Sequence, residues 1–189
     1  LNEIALRQPR DLEALALVDL EVELGALALR QDAGDLGGPL DLVVELADAK
    51  TTWMDAGSYE YIVRFQWLAN GTQLALQTMP RQQNELRLRF AERATGSSRE
   101  ILAERQPAWI NIHDSLHFFA DGSRFVWMSE RDGYQHLYLY RRGGTLETQL
   151  SKGEFMVLPA YGASASGKSG LVGVDEKRGI VYFTANKDA

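Results

Sequence analysis

The 189-residue chain contains no cysteine. That absence removes disulfides, thiolate catalysis and cysteine metal sites together, so stability has to come from packing. No run of about eighteen apolar residues occurs, so no segment reads as a membrane-spanning helix, and no charged-then-apolar start resembles a signal peptide. A basic surplus is missing too. Acidic side chains number 26 against 20 basic ones, leaving a net charge of −6, and the basic residues are scattered, which argues against nucleic acid or a membrane as the partner. The chain also lacks a G-x-S-x-G string, the strained elbow that carries a serine nucleophile. Its nearest approach, Gly162-Ala163-Ser164-Ala165-Ser166, has no closing glycine and no strand and helix around it. What remains is 45% hydrophobic and 24% charged, the composition of one ordinary globular domain. The chain begins at Leu1, not Met, and reads as a piece of something longer.

Period two dominates what is present. Val18, Leu20, Val22 and Leu24 alternate with acids, Leu40 to Leu46 repeat the pattern, and Tyr61, Val63, Phe65 and Trp67 alternate with Ile62, Arg64 and Gln66. These predict half-buried strands. Before residue 35 the sequence carries helical and strand periods together, and strand is favoured. Turn pairs separate the runs: Asn-Gly at 70, Asp-Gly at 121 and 132, Gly-Gly at 143. The pattern of aromatic strand, turn and second strand recurs, with glycines at 71, 122 and 179, spaced 51 and then 57 residues apart, and an outer hairpin follows each of the first two copies. A four-stranded unit repeating every fifty-odd residues is the signature of a β-propeller blade. The predicted fold class is therefore all-β: a partial β-propeller of about three four-stranded antiparallel blades within one domain. The expected divisions are 1–52, 53–108, 109–155, and the start of a further blade at 156–189 with a Gly/Ala/Ser loop at 162–170.

Several motifs invite chemistry. Gly162 to Ser169 fits the phosphate-binding P-loop G-x-x-x-x-G-K-S through Gly162, Gly167, Lys168 and Ser169. A P-loop needs a strand before it and a helix after it. Here Pro159 lacks a ladder N–H, and Gly170, Gly173 and Gly179 follow with no helical period, so the match is read as fortuitous and no nucleotide or other cofactor is expected. His113-Asp114-Ser115-Leu116-His117 resembles H-E-x-x-H. On a strand, however, residues four apart lie about 13 Å from each other, too far for one metal, so no metal is expected. Asn70-Gly71-Thr72 fits an N-glycosylation acceptor and, more simply, a hairpin turn. Trp67, Phe90, Trp109, Phe125 and Trp127 are read as core and not as a stacking surface. His136, in the alternating run Tyr134 to Tyr140, reads as a strand histidine satisfied by hydrogen bonds.

Residues 109–144 carry a resemblance. The string Ser129-Glu130-Arg131-Asp132-Gly133-Tyr134, followed by His136, Tyr138 and Tyr140, resembles the most recognisable propeller motif of the dipeptidyl peptidase IV family of serine peptidases. Flanking stretches agree from Trp53 to Lys187, and residues 1–52 fit loosely. The motif residues themselves read as structural, with Glu130 and Arg131 holding their hairpin by charge-assisted hydrogen bonds.

The resemblance implies that this propeller segment precedes a C-terminal α/β-hydrolase domain, the pair enclosing a chamber where a Ser-Asp-His triad releases N-terminal dipeptides ending in proline or alanine. It implies no metal and no cofactor. The chain itself would hold no catalytic residue. It would wall and gate the cavity, with Asn111, His113 and Asp114 either lining it or merely capping their turn. The family's substrate-amine anchor, a Glu-Glu pair, has no counterpart here and would lie upstream. Peptide substrates, a possible homodimer of the parent protein and export to a bacterial periplasm complete the expectations. The alternatives are a stand-alone propeller that docks a protein partner and, less favoured, nucleotide binding at 162–169.

Overall fold

The computed structural model describes residues 17–23, 26–31, 40–45, 50–58, 60–158 and 170–186, and among these every regular element is a strand. The first sheet contains β1 (Leu17–Glu23), β2 (Ala26–Gln31), β3 (Leu40–Glu45) and β4 (Thr51–Trp53). The second contains β5 (Tyr61–Trp67), β6 (Gln73–Met79), β7 (Glu85–Glu92) and β8 (Ser98–Arg105). The third contains β9 (His117–Phe118), β10 (Arg124–Ser129), β11 (His136–Arg141) and β12 (Leu146–Gln149). Each is an antiparallel meander in which neighbours in sequence are neighbours in space. Three four-stranded units in series are the blades of an all-β partial propeller, and the ambiguous stretch before residue 35 contributes β1 and β2. Trp53 ends the outer strand of the first sheet.

A fourth unit has begun, comprising β13 (Met156–Val157), β14 (Leu171–Asp175), β15 (Ile180–Phe183) and β16 (Ala185–Asn186). Its register shows one hairpin. Val157 pairs with Ala185, and Leu171 pairs with Phe183. Between them the Leu158 amide donates to the Thr184 carbonyl at 3.1 Å, while the Thr184 amide donates to the Gly170 carbonyl at 2.9 Å. Leu158 and Gly170 thus flank the same partner, Thr184. The Gly162–Ser169 pattern itself lies outside the described residues.

Burial departs from the half-buried expectation at the inner strands. All seven residues of β6 are buried, as are five of the six of β10. The reason is that the second and third sheets are each packed on both faces, so both sets of residues on their period-two strands find a core. Phe125 and Trp127 enter a cluster shared with Leu86, Leu88 and Phe90 of the second sheet, whereas Val126 and Met128 enter one shared with Val157, Leu171 and Val181 of the fourth unit. Likewise Leu74 and Leu76 face Val43 and Met54. Phe125 is fully buried, worth about 2–3 kcal/mol for such a ring, and it stacks on Tyr140 at 5.3 Å.

Two glycines repeat a contact between sheets. Gly96, in the β7–β8 turn, has φ +72 and would place a Cβ 1.8 Å from the Trp53 carbonyl oxygen. Gly144, in the β11–β12 turn, has φ +90 and would place one 1.9 Å from that of Ile101. In both, a turn rests on the outer strand of the preceding sheet at a distance that only glycine allows.

Candidate functional site

An antiparallel meander sends its connections alternately to two ends. Loops 80–84, 106–116 and 130–135 share one end of the second and third sheets; the turns around Gly71, Gly96, Gly122 and Gly144 share the other. The 106–116 connection is the longest between regular strands of these two sheets, and the residues singled out at 111–114 and 130–134 gather around it.

Its base is fixed by main chain. The Gln106 amide donates to the Asn84 carbonyl at 3.0 Å, and the Ile110 amide donates to that of Gln83 at 2.7 Å. Gln83 sits at φ 57, an uncommon conformation for a side chain other than glycine. Nothing in "PRQQN" signals that backbone, so sequence reasoning missed this support. Ile110 then drops into the core, Asn111 and Ile112 emerge, and His113 drops in again. Asp114 is held by the Arg64 guanidinium of β5, a pairing across 50 residues. Ser115 and Leu116 are buried. Trp109, assigned to the core from sequence, is instead 66% exposed. It precedes the anchor Ile110 in a connection with no ladder, so strand alternation does not govern where it points.

His113 packs edge-on against Trp127, ring centroids 4.7 Å apart. Burial pushes its imidazole down to about 4, and the Asp114 carboxylate pulls the other way without reversing the shift. A neutral, enclosed ring is a wedge beneath the loop. The second half of the H-x-x-x-H pair, His117, lies in β9 with Nε2 3.7 Å from a Glu176 carboxylate oxygen. Among the described residues no group of three His, Cys, Asp or Glu side chains is placed to hold a metal.

The 129–134 motif forms the β10–β11 turn. Gly133 closes it at φ 95, its amide donating to the Glu130 carbonyl at 3.0 Å. Asp132 accepts from the Tyr134 amide and the Gln149 side chain. Arg131 donates from Nε to Ser129 Oγ within its own hairpin at 3.0 Å and also pairs with Glu104 of β8, and its guanidinium lies 4.4 Å from the Tyr138 ring centre. Burial and the Asp132 carboxylate push the Tyr138 phenol up to about 12. Glu130 accepts from the Asn111 side-chain amide at 2.9 Å. His136 is fully buried, with Nδ1 3.0 Å from Ser151 Oγ and Nε2 3.1 Å from the Gly153 carbonyl. A carbonyl only accepts, so Nε2 carries the proton and the Ser151 hydroxyl donates to Nδ1. That serine is buried and also accepts from the Leu137 amide, so the pair is structural and not a nucleophile with its base. The loop end therefore presents exposed Trp109, Asn111, Ile112 and Tyr134 around buried Ile110 and His113.

The family model for the dipeptidyl peptidase IV (DPP IV) N-terminal region matches residues 41–189. The chain belongs to the DPP IV N-terminal region family. Among curated relatives, dipeptidyl peptidase 8 of Mus musculus is 32% identical over 116 residues, covering 47% of this chain and 12% of the relative. Among solved structures, Porphyromonas gingivalis dipeptidyl peptidase 4 matches 85% of this chain and 26% of its own, with a TM-score of 0.70 at 21% identity. The β-propeller domain of the Trilobed protease from Pyrococcus furiosus matches 74% of this chain and 43% of its own, with a TM-score of 0.56 at 15% identity. The structural matches establish the propeller fold. As a DPP IV-type N-terminal region, the chain spans about an eighth of the curated relative and a quarter of the peptidase structure it resembles.

Proposed function

We propose that this chain is the non-catalytic propeller segment of a DPP IV-type serine exopeptidase that releases Xaa-Pro or Xaa-Ala dipeptides from peptide N-termini. Its loop end at 106–116 walls and gates the substrate chamber opposite a hydrolase domain, which carries the nucleophile. The observation that carries the reading is the family match over 41–189 together with the exposure of Trp109 and Asn111 on a loop anchored by Ile110, His113 and Asp114. In this reading Trp109 and Asn111 face the chamber, while His113 and Asp114 serve from beneath. A large aromatic presented on a rigid base suits the apolar side chains of a short peptide, and an amide beside it suits the peptide backbone.

The test uses the full-length protein on a free peptide of sequence Xaa-Pro-Zaa and on the same peptide acetylated at its N-terminus. The expected result is release of the dipeptide from the free peptide and none from the blocked one. Failure to release dipeptides from either, or equal cleavage of both, overturns the proposal.

A further inference from the structure

The adjacent residues Glu130 and Arg131 reach back in two directions, Glu130 to Asn111 of the 106–116 connection and Arg131 to Glu104 of β8 in the preceding sheet. Arg131 has several partners: it pairs with Glu104 of β8, its Nε lies 3.0 Å from Ser129 Oγ, and its guanidinium lies over the faces of Tyr138 and Tyr140, at 4.4 and 5.6 Å. A planar guanidinium confined in this way between carboxylate, hydroxyl and rings has little rotamer freedom left. The turn that carries it is therefore fixed to the neighbouring outer strand. From that fixed turn the next side chain, Glu130, extends its carboxylate to Asn111 at 2.9 Å. Asn111 is exposed, on a connection without ladder hydrogen bonds. A charge-assisted bond from a rigid neighbour is what holds its amide in one direction.

We propose that Glu130 and Arg131 are positioning residues for substrate recognition: through the Glu130–Asn111 bond they set how the 109–112 loop is presented to the peptide, without touching the peptide themselves. The proposal rests on the reading of Asn111 as a chamber residue. It assigns the family motif a reach beyond its own hairpin. The clasp spans two blades, so the turn of one blade sets the recognition loop that precedes it.

A cycle of variants in the full-length peptidase tests this, with KM, kcat and melting temperature read for each. Glu130→Ala is expected to raise KM about fivefold, the size of one net hydrogen bond, with kcat within twofold and the melting temperature unchanged, because the bond is at the surface. Glu130→Gln keeps an acceptor and is expected to behave as the parent. Asn111→Ala is expected to match Glu130→Ala, and the double variant to be no worse than either single one. Arg131→Met is expected to raise KM and to lower the melting temperature as well. If Asn111→Ala raises KM and Glu130→Ala does not, or if the two effects add, this inference is overturned while the chamber reading stands. If Asn111→Ala leaves KM unchanged, Asn111 is not a chamber residue and both fall.

Discussion

The two ends of the sheets differ in what they tolerate. At one end the turns are short and repeated: Gly71, Gly122 and Gly179 sit at φ 61, 66 and 67, and the turns of Gly96 and Gly144 press on the strand behind them. At the other end the 106–116 connection has no ladder of its own and carries an exposed tryptophan above a buried histidine. At Gly96 and Gly144 the first end is built by close approach of backbone to backbone, which leaves no room for a side chain. The second is built by side-chain anchors spaced along a loop, which frees the residues between them to face outward. A propeller can vary recognition at the second end without disturbing its stacking at the first.

The sharpest way to break this contrast is to add one methyl group at each kind of position. Gly96→Ala and Gly144→Ala are each expected to destabilise the full-length protein by about 3 kcal/mol or more, from strain at positive φ plus collision with a carbonyl. Gly143→Ala, with no atom within 4 Å of the added carbon, is expected to change stability by less than about 0.5 kcal/mol in the same denaturation experiment. Equal effects at 143 and 144 would show that the close approach is not real.

The second prediction concerns the anchor beneath the loop. His113 titrates near 6.5 when unfolded and near 4 when folded, so the unfolded chain binds the extra proton between those values. Stability is then complete above about pH 6.5 and is lost as pH falls toward 4, by up to about 3 kcal/mol. A His113→Phe variant keeps a ring against Trp127 and is expected to lose this slope. Denaturant midpoints measured from pH 7.5 to 4.5 check it, and an unchanged slope would mean that His113 is solvated. A smaller effect is expected at the interrupted strand. Deleting 159–169 and joining Leu158 to Gly170 is expected to leave stability within about 1 kcal/mol, because Leu158 and Gly170 already bond to the same residue, Thr184. Loss of folding would show that the segment does more than interrupt a strand.

The fold was legible because each strand declares itself locally. Alternation in Tyr61–Trp67 and the Asn70-Gly71 and Asp121-Gly122 turns need no distant partner to be recognised. What was not legible is whatever depends on a neighbouring sheet. The double burial of β6 and β10 follows from being sandwiched, which a single strand's pattern cannot announce. As an aromatic residue Trp109 reads as core, but between Gln106 and Ile110 no ladder enforces a side. The Arg64–Asp114 and Glu130–Asn111 bonds join residues 50 and 19 positions apart, and neither pairing leaves a periodic trace in the sequence. The candidate loop could be located from its motif. Which of its residues face outward came only from packing.

The central claim, that the 106–116 end meets the substrate and the opposite end does not, is tested most directly by exchanging one exposed apolar side chain at each. Trp109 and Leu146 are both exposed, at 66% and 46%, and neither is needed by the core. In the full-length protein, kcat/KM for an Xaa-Pro chromogenic substrate is predicted to fall about tenfold for Trp109→Ala, a loss of about 1.4 kcal/mol of binding, and to be unchanged for Leu146→Ala. Equal values for the two variants, or a loss only in Leu146→Ala, would contradict the account.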